Sequence, residues 1–286
     1  MTIRRIRRGA PEYPALLAAI HDPPAALWVR GEADASVLSG PAVAVVGARA
    51  CSGYGRAVAR SLGRELAAAG AVVVSGLARG VDGEAHRGAL EAGGPTAAVL
   101  GCGVDRDYPA AHAELARRIC DAGGLIVSEY EAGVEPAPWR FPARNRIIAG
   151  LCAATVVVEA RERSGALITA DFALEDGREV MAVPGEITSA LAAGTNGLLR
   201  LGATPVTCAG DVLEAYGLVP VEATPEAVSD EAVAVLAALR DGPLAGDEIA
   251  RATRLEPGRV SAALVELELA GQVAAEDGVY RSTIAW

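Results

Sequence analysis

The sequence has 286 residues, 51% of them hydrophobic and 22% charged, with a formal net charge of −10 at pH 7. This composition excludes general disorder and predicts a folded chain with room for one large domain and a smaller one. Because the longest apolar runs are strand-sized and the basic N-terminus lacks the apolar stretch of a signal peptide, we expect a cytoplasmic protein without membrane contact.

The acidic charge is concentrated in the last part of the chain. Residues 222–286 contain 12 acidic and 5 basic residues, whereas residues 1–221 contain 24 acidic and 21 basic residues. A local positive site on the first part is therefore compatible with the acidic total. Every basic residue is arginine. The absence of lysine excludes a Walker A phosphate site and Schiff-base chemistry.

The cysteine and carboxylate patterns do not predict a metal site. The five cysteines, at positions 51, 102, 120, 152 and 208, are widely spaced and form no C-x-x-C pair. They are typical of reduced thiols rather than of a disulfide framework or a zinc site. Asp105, Asp107 and Asp121 also lack the clustering of metal ligands. We therefore predict neither a metal nor a cofactor.

Residues 1–41 are predicted to form a short N-terminal approach segment. A short helix is expected near residues 13–17, with a stop at the proline pair that follows. The segment also contains a basic cluster formed by Arg4, Arg5, Arg7 and Arg8. This cluster either contacts phosphate or forms a solvated arm, and the sequence leaves both interpretations open.

From residue 42 onward, apolar strand-like runs alternate with helix-length segments. The runs are 42–46, 71–75, 96–100, 124–128, 154–159, 179–183 and 204–207. Such a pattern is typical of a parallel sheet covered by helices on both faces. The predicted fold class is α/β, with an extended Rossmann-like domain at 42–218 built on a mostly parallel sheet. Right-handed crossovers would place all strand carboxyl ends at one edge.

The predicted loops at that edge are rich in glycine and polar residues. Arg49 follows the first of these strands, and Ser52 is suited to cap the next helix. The stretch 141–169 contains an aromatic ring, two arginines and a helix start at Ser164-Gly165. These groups suit a phosphate-bearing ligand with exposed bases. The alternative is a structural segment whose arginines pair with local carboxylates, and chemistry alone leaves both open.

Familiar catalytic patterns are missing from the sequence. The first loop reads G-x5-G-x-G rather than G-x-G-x-x-G, and there is no nucleophile elbow. Ser75, Asp82 and His86 contain the groups of a hydrolytic triad, but we favour Asp82 as a helix cap with His86 packed or hydrogen-bonded against it. His112 is interpreted as a surface or capping residue. We predict no catalytic residue.

The tail is predicted to be a separate small domain. Residues 219–229 are rich in proline and acid and indicate a linker, and residues 230–286 predict three helices and a hairpin with Asp277-Gly278 at its turn. This is the pattern of a winged helix. Its recognition helix has one base, Arg259, among several glutamates, so we expect it to bind protein, or nothing tightly, rather than duplex DNA.

Six ordered motifs resemble those of the DNA-processing protein A (DprA/Smf) family. They are SGLARGVDGEAH, AVLGCGVDRDYP, FPARNRIIAGL, VVVEARERSGALITA, REVMAVPG and GTNGLLRLGA. The resemblance covers residues 11–218 continuously, and the tail resembles the winged-helix domain of many members. It implies a protein that binds single-stranded DNA, forms a homodimer, protects incoming DNA and helps to load a RecA-type recombinase in natural transformation, without being an enzyme.

The resemblance also implies which residues bind the strand. The family's loop arginine falls on Arg49, its F-P-x-R-N-R motif on 141–146, and its serine-glycine pair on 164–165. The complete predicted site comprises Gly47, Arg49, Ser52, Gly53, Arg79, Phe141, Arg144, Asn145, Arg146, Ser164 and Gly165. Dimerisation is expected near residues 195–216.

One enzymatic alternative comes from the same fold. Nucleotide-cleaving phosphoribohydrolases resemble it and carry the motif P-G-G-x-G-T-x-x-E. Here Pro184-Gly185-Glu186 begins in the same way and then departs from that motif.

Overall fold

The structure, a computed structural model, describes residues 2–218, 229–276 and 278–282. The chain divides into two compact units, residues 1–221 and 222–286. The predicted linker lies outside the described residues except for Ser229, as does Asp277 of the predicted hairpin turn. Within the described ranges, every helix is too short or too polar to cross a bilayer.

The first unit is built on a nine-stranded sheet in the order β1-β2-β6-β5-β4-β3-β7-β8-β9. Strands β3 to β9 are mutually parallel, and β1 and β2 join antiparallel at the β6 side. The strands are β1 Ile3–Arg7, β2 Ala26–Arg30, β3 Ala42–Val46, β4 Val72–Ser75, β5 Thr96–Val99, β6 Leu125–Ser128, β7 Ala154–Val157, β8 Glu179–Ala182 and β9 Thr204–Pro205. This confirms the predicted mostly parallel α/β fold.

Helices cover both faces of this sheet, as the continuous apolar strands predict. They are α1 Ala15–Ala18, α2 Gly53–Ala68, α3 Val81–Glu91, α4 Ala113–Asp121, α5 Arg140–Leu151, α6 Gly165–Glu175, α7 Ala193–Arg200 and α8 Ala209–Glu214, with short 3₁₀ helices at Ala35–Ser39 and Ala110–His112. Strand β3 shows the two-sided burial: Ala44 and Val46 pack with α5 and α6, whereas Val43 and Val45 pack with α2 and α3.

The sheet begins earlier than residue 42, where the sequence analysis placed the start of the main domain. Strands β1 and β2 pair with Ile6 opposite Leu27, and both side chains are buried. The segment 1–41 therefore contributes an edge of the sheet, not only an approach to it. Strand β1 was not predicted because four of the first eight residues are arginines, which obscure the apolar pattern of a strand. Arg4 donates to the carbonyls of Gly31 and Ala33, and the guanidinium of Arg5 lies 5.5 Å from the Trp28 ring centroid.

The second unit is a winged helix, as predicted. Its helices are α9 Asp230–Ala238, α10 Gly246–Thr253 and α11 Pro257–Leu269, and its strands are β10 Leu244–Ala245, β11 Val273–Glu276 and β12 Val279–Ser282. Strands β11 and β12 form the antiparallel wing, and β10 pairs with β12. The core is apolar and includes Val235, Leu236, Ile249, Leu264 and Leu267.

Candidate nucleic-acid interface

Two adjoining cavities lie at the carboxyl edge of the parallel sheet. Strand β3 is the point where the strand order reverses, with β4 on one side and β7 on the other. Open α/β sheets bind ligands at this position. The first cavity has a volume of about 260 Å³ and the second about 390 Å³. Arg49, Phe141 and Arg144 line both, so the two cavities form one continuous candidate site.

The loop after β3 is hydrogen-bonded at the rim to the segments that follow β7 and β4. The backbone N–H of Ala48 donates to the carbonyl of Glu159 at 2.7 Å, and the N–H of Val81 donates to the carbonyl of Ala48 at 3.2 Å. Gly80 has a φ of +75°, and a Cβ there would collide with the backbone of the β3 loop. This packing holds Arg49 and Arg79 at the exposed rim. Neither forms an ion pair with a described residue.

Arg144 forms the floor of the site and is only 5% exposed. Its guanidinium donates to the carbonyls of Gly76, at 2.9 Å, and Val99. Burial lowers the pKa of Arg144 to about 10, with Asp82 opposing that change and Arg49 adding to it. The side chain therefore ties the ends of β4 and β5 together. Much of its hydrogen-bonding capacity is already used inside the protein.

Asp82 faces this arginine from the first turn of α3. Its carboxylate accepts the N–H groups of Gly76, at 3.1 Å, and Ala78, at 3.3 Å, so it organises the preceding loop rather than capping its own helix. Burial raises the pKa of Asp82, and the charge of Arg144 opposes that rise. The carboxylate and guanidinium flank Gly76, where a Cβ would lie 2.7 Å from Asp82 Oδ2 and 2.6 Å from an Arg144 amino nitrogen.

The two histidines of this region are structural. His86 is fully buried and contacts Thr96 through Nδ1 at 2.7 Å, and burial lowers its pKa to about 3. Ser75 donates to the carbonyl of Val45 at 2.6 Å. A Ser75–Asp82–His86 relay is therefore not assembled. His112 was interpreted as a surface or capping residue. It is buried and contacts the carbonyl of Leu77 at 2.9 Å, so the surface interpretation was wrong; it does stand at the N-cap position of α4, although its side chain makes no capping hydrogen bond there.

The other wall of the first cavity comes from α5 and the start of α6. Asn145 is buried and donates to the carbonyl of Gly165 at 3.0 Å, which joins the two helices. Ser164 caps α6 by accepting the N–H of Ala166 at 3.3 Å. Gly165 is exposed, and a Cβ there would meet nothing within 4 Å. The helix start is thus open to an anion, which the N-terminal dipole of α6 favours.

Aromatic rings lie beside the exposed arginine. Phe141, in the first turn of α5, stacks on Tyr108 with ring centroids 5.1 Å apart and an interplanar angle of 23°. The guanidinium carbon of Arg49 is 5.7 Å from the centroid of Phe141. The residues of the FPARNR motif belong to α5, with Pro142 in the first turn, where proline is tolerated.

Three predicted residues lie outside both cavities. Ser52 and Gly53 are at the start of α2, where a phosphate would sit in a dinucleotide-binding fold. That place is taken by the carboxylate of Glu159, which accepts the N–H of Ser52 at 2.9 Å and also bonds its hydroxyl. A Cβ on Gly55 would collide with this carboxylate. The start of α2 is therefore closed to an anion.

Arg146 is the third residue outside the cavities. It forms a two-pronged ion pair with Glu129 at 2.8 and 2.9 Å and contacts Asp22 at 3.1 Å. Arg146 therefore has the structural role that the sequence left open, since it pairs with carboxylates of the protein. The other eight predicted residues line one or both cavities: Gly47, Arg49, Arg79, Phe141, Arg144, Asn145, Ser164 and Gly165.

Sequence reasoning missed three residues that shape the site. Asp82 lines the first cavity, Tyr108 lines the second, and Glu159 closes the neighbouring helix start. Asp82 and Tyr108 follow predicted strands and Glu159 is the last residue of one, which was the available signal. Their contacts join residues far apart in the chain: Tyr108 and Phe141 are 33 positions apart, and Glu159 and Ser52 are 107 positions apart.

Comparison with known proteins identifies the family of this chain. Residues 4–217 match the family model of DNA recombination-mediator protein A, and residues 219–278 match that of the DprA winged helix domain. The chain belongs to the DprA/Smf family. It is 42% identical over 279 residues to protein Smf of Escherichia coli, covering 94% of this chain and 74% of that protein.

Solved structures of the family show the same fold. The DNA processing protein A of Streptococcus pneumoniae is 42% identical, with a TM-score of 0.69 over 75% of this chain and 74% of that chain. The protein of Helicobacter pylori is 29% identical, with a TM-score of 0.67 over 76% of this chain and 96% of that chain; its structure concerns a single-stranded DNA binding mode.

Proposed function

We propose that this DprA/Smf family member binds single-stranded DNA at the two cavities without altering it, protects the strand and helps to load a RecA-type recombinase during natural transformation. The observation that carries the proposal is the convergence of two exposed, unpaired arginines, a ring stack and an open helix start at one edge of the sheet. Binding without sequence preference needs these parts: cations for the backbone and ring faces for the bases.

The same site explains why the proposal is one of binding and not of catalysis. Two charged groups at the cavities, Asp82 and Arg144, have strongly shifted pKa values, and both are hydrogen-bonded to backbone amides or carbonyls. Glu159 closes the helix start that would hold the phosphate of a mononucleotide or dinucleotide. These contacts favour binding of a DNA strand along the edge of the sheet. They do not favour an enclosed nucleotide positioned for bond cleavage.

Arg49→Ala tests the proposal directly. We expect the affinity for single-stranded oligonucleotides of any sequence to fall, because the substitution removes a phosphate-binding cation. The slope of log K against log salt concentration should become shallower by about 0.7 if one contact is lost. Fluorescence anisotropy with labelled oligo(dT) and a mixed-sequence oligonucleotide, at several salt concentrations, measures both quantities. Recombinase loading on the same strands should weaken in parallel.

Arg118→Ala is the matched control for this experiment. Arg118 is an exposed arginine in the last turn of α4, and α4 runs back across the sheet to the start of β6, at the opposite edge. Its removal should change neither the affinity nor the salt slope. Equal losses in both variants would mean that binding follows general charge, and full affinity in a folded Arg49→Ala protein would reject the site.

We also propose that the protein is a homodimer that uses the surface around α7. Leu201, at the end of α7, is 87% exposed, and Ile187, after β8, is 95% exposed. Leu201 lines a further cavity of about 650 Å³ between α6 and α7. Apolar side chains this exposed favour contact with another protein surface. Analytical ultracentrifugation should show that Leu201→Asp shifts the protein toward monomer. Leu269→Asp, at a leucine of the second unit that is 85% exposed, is the control and should leave the distribution unchanged.

A further inference from the structure

A second stack of rings and guanidinium lies next to the cavities but lines neither of them. The guanidinium carbon of Arg140 is 4.8 Å from the Trp139 ring centroid and 4.9 Å from the Tyr130 ring centroid. It therefore contacts both rings. Trp139 is 64% exposed although tryptophan is usually well covered in a folded protein. Arg140 contacts its ring, and most of the residue's surface is left to solvent.

The backbone fixes this second stack beside the first. Trp139 immediately precedes α5 and lies two residues before Phe141. Gly101, after β5, permits the close approach: a Cβ there would lie 3.0 Å from the Phe141 ring and 3.2 Å from the carbonyl of Arg140. Tyr130 follows β6, and Arg140 also donates to the carbonyl of Glu135. The rings are thus held in place before any ligand arrives, which reduces the entropy cost of stacking.

The charges near Trp139 differ from those near Arg49. Arg106 forms ion pairs with Glu135 at 3.0 Å and Asp105 at 3.6 Å. The guanidinium of Arg140 is thus engaged by two rings and a carbonyl, and the nearby Arg106 is paired with carboxylates. A neutral, flat aromatic group is what an exposed indole face in such surroundings binds best.

We propose that the exposed face of Trp139 is a stacking platform for a nucleobase of the bound strand, outside the two cavities. This rests on the proposed function. The backbone of the strand is held at Arg49 and Arg79, one base stacks at the Phe141–Tyr108 pair, and a further base stacks on Trp139.

Trp139→Ala should weaken binding of oligo(dT) by about tenfold, the loss expected for one stacked base. The salt slope should remain that of the unchanged protein, because no phosphate contact is removed. Trp139→Phe should retain most of the affinity. An oligonucleotide of abasic sugars should bind wild type more weakly, and Trp139→Ala should have no further effect on it. Each affinity is measured by anisotropy with the full chain.

Tryptophan fluorescence gives an independent measurement. Stacking of a base on Trp139 should quench part of the emission when oligo(dT) is added, and Trp139→Phe should abolish that part. Trp28→Phe is the matched control, because Trp28 also faces an arginine, Arg5, at 5.5 Å but lies on β2. Its removal should leave the oligo(dT)-dependent quenching in place.

The outcomes separate this inference from the proposed function. Unchanged affinity and quenching in the Trp139 variants, while Arg49→Ala still binds poorly, would overturn the platform and leave the binding site standing. A shallower salt slope in Trp139→Ala would also overturn it, since the effect would then be electrostatic. If wild type itself fails to bind single strands at low salt, the proposed function is what fails.

Discussion

Each unit has one place at which proteins of its fold class bind ligands or nucleic acid. In the first unit it is the carboxyl edge of the sheet, and in the second it is helix α11. At the sheet edge, Arg49 and Arg79 are exposed and form no ion pair with a described residue. In α11 the one arginine, Arg259, forms an ion pair with Glu231 of α9. The same side chain is thus available for phosphate in one unit and neutralised in the other.

The solvent face of α11 is apolar as well as poor in charge. Its core side contains Val260, Leu264 and Leu267, all buried. The opposite side carries small and apolar residues at helical spacing: Gly258, Ala262, Val265 and Leu269, with Val265 54% and Leu269 85% exposed. A recognition helix for a major groove presents basic or amide side chains on that face. The winged-helix fold is thus kept here without the basic or amide side chains of a helix that reads a major groove, and we still expect it to bind protein, or nothing tightly, rather than duplex DNA.

Removing the buried arginine of the first unit should have the largest effect of all. Arg144→Met leaves the carboxylate of Asp82 without its facing cation and leaves two backbone carbonyls without a donor. We expect a loss of about 3–5 kcal/mol in the free energy of unfolding, because a buried carboxylate then lacks the nearby positive charge and two buried carbonyls lose the guanidinium donor. Urea unfolding of the full chain, followed by circular dichroism, measures it.

Arg49→Met is the control for that prediction, because it makes the same chemical change at an exposed position. Its free energy of unfolding should change by less than about 0.5 kcal/mol, since exposed substitutions without partners have small effects. The two variants therefore divide the arginines of one site into one that supports the fold and one that is free for a ligand. Similar stabilities for both would contradict that division.

The smallest effect is expected in the second unit. Val265→Glu on α11 should leave the affinity for single-stranded and duplex oligonucleotides unchanged within about twofold, because that face makes no nucleic-acid contact in our interpretation. Gel-shift titrations of both DNA forms provide the measurement. Val233→Glu on α9, at a valine that is also 54% exposed, is the control for added negative charge. A specific loss of duplex binding in Val265→Glu alone would show that α11 does read DNA.

Much of this molecule was determined by the sequence itself. The continuous apolar runs from residue 42 onward specify a parallel sheet, because strands buried on both faces have no polar side. The glycine-rich loops after those strands must then meet at one edge, which brings Arg49 and the 141–165 stretch together. The winged helix follows in the same way from three amphipathic segments and a hairpin. The edge strand β1 was not predicted, because arginines interrupt its alternation.

Only the tertiary structure decided which charges are free. Arg144 and Arg146 are two positions apart in α5, so their side chains point about 200° apart around the helix, one into the cavity and one toward Glu129. Glu159 follows β7 and is 107 positions from Ser52 in the sequence, yet its carboxylate binds Ser52 and occupies the place of an anion. A local pattern specifies which groups a segment carries. Whether a group is available depends on what packs against it from distant parts of the chain, and that is set by the three-dimensional fold.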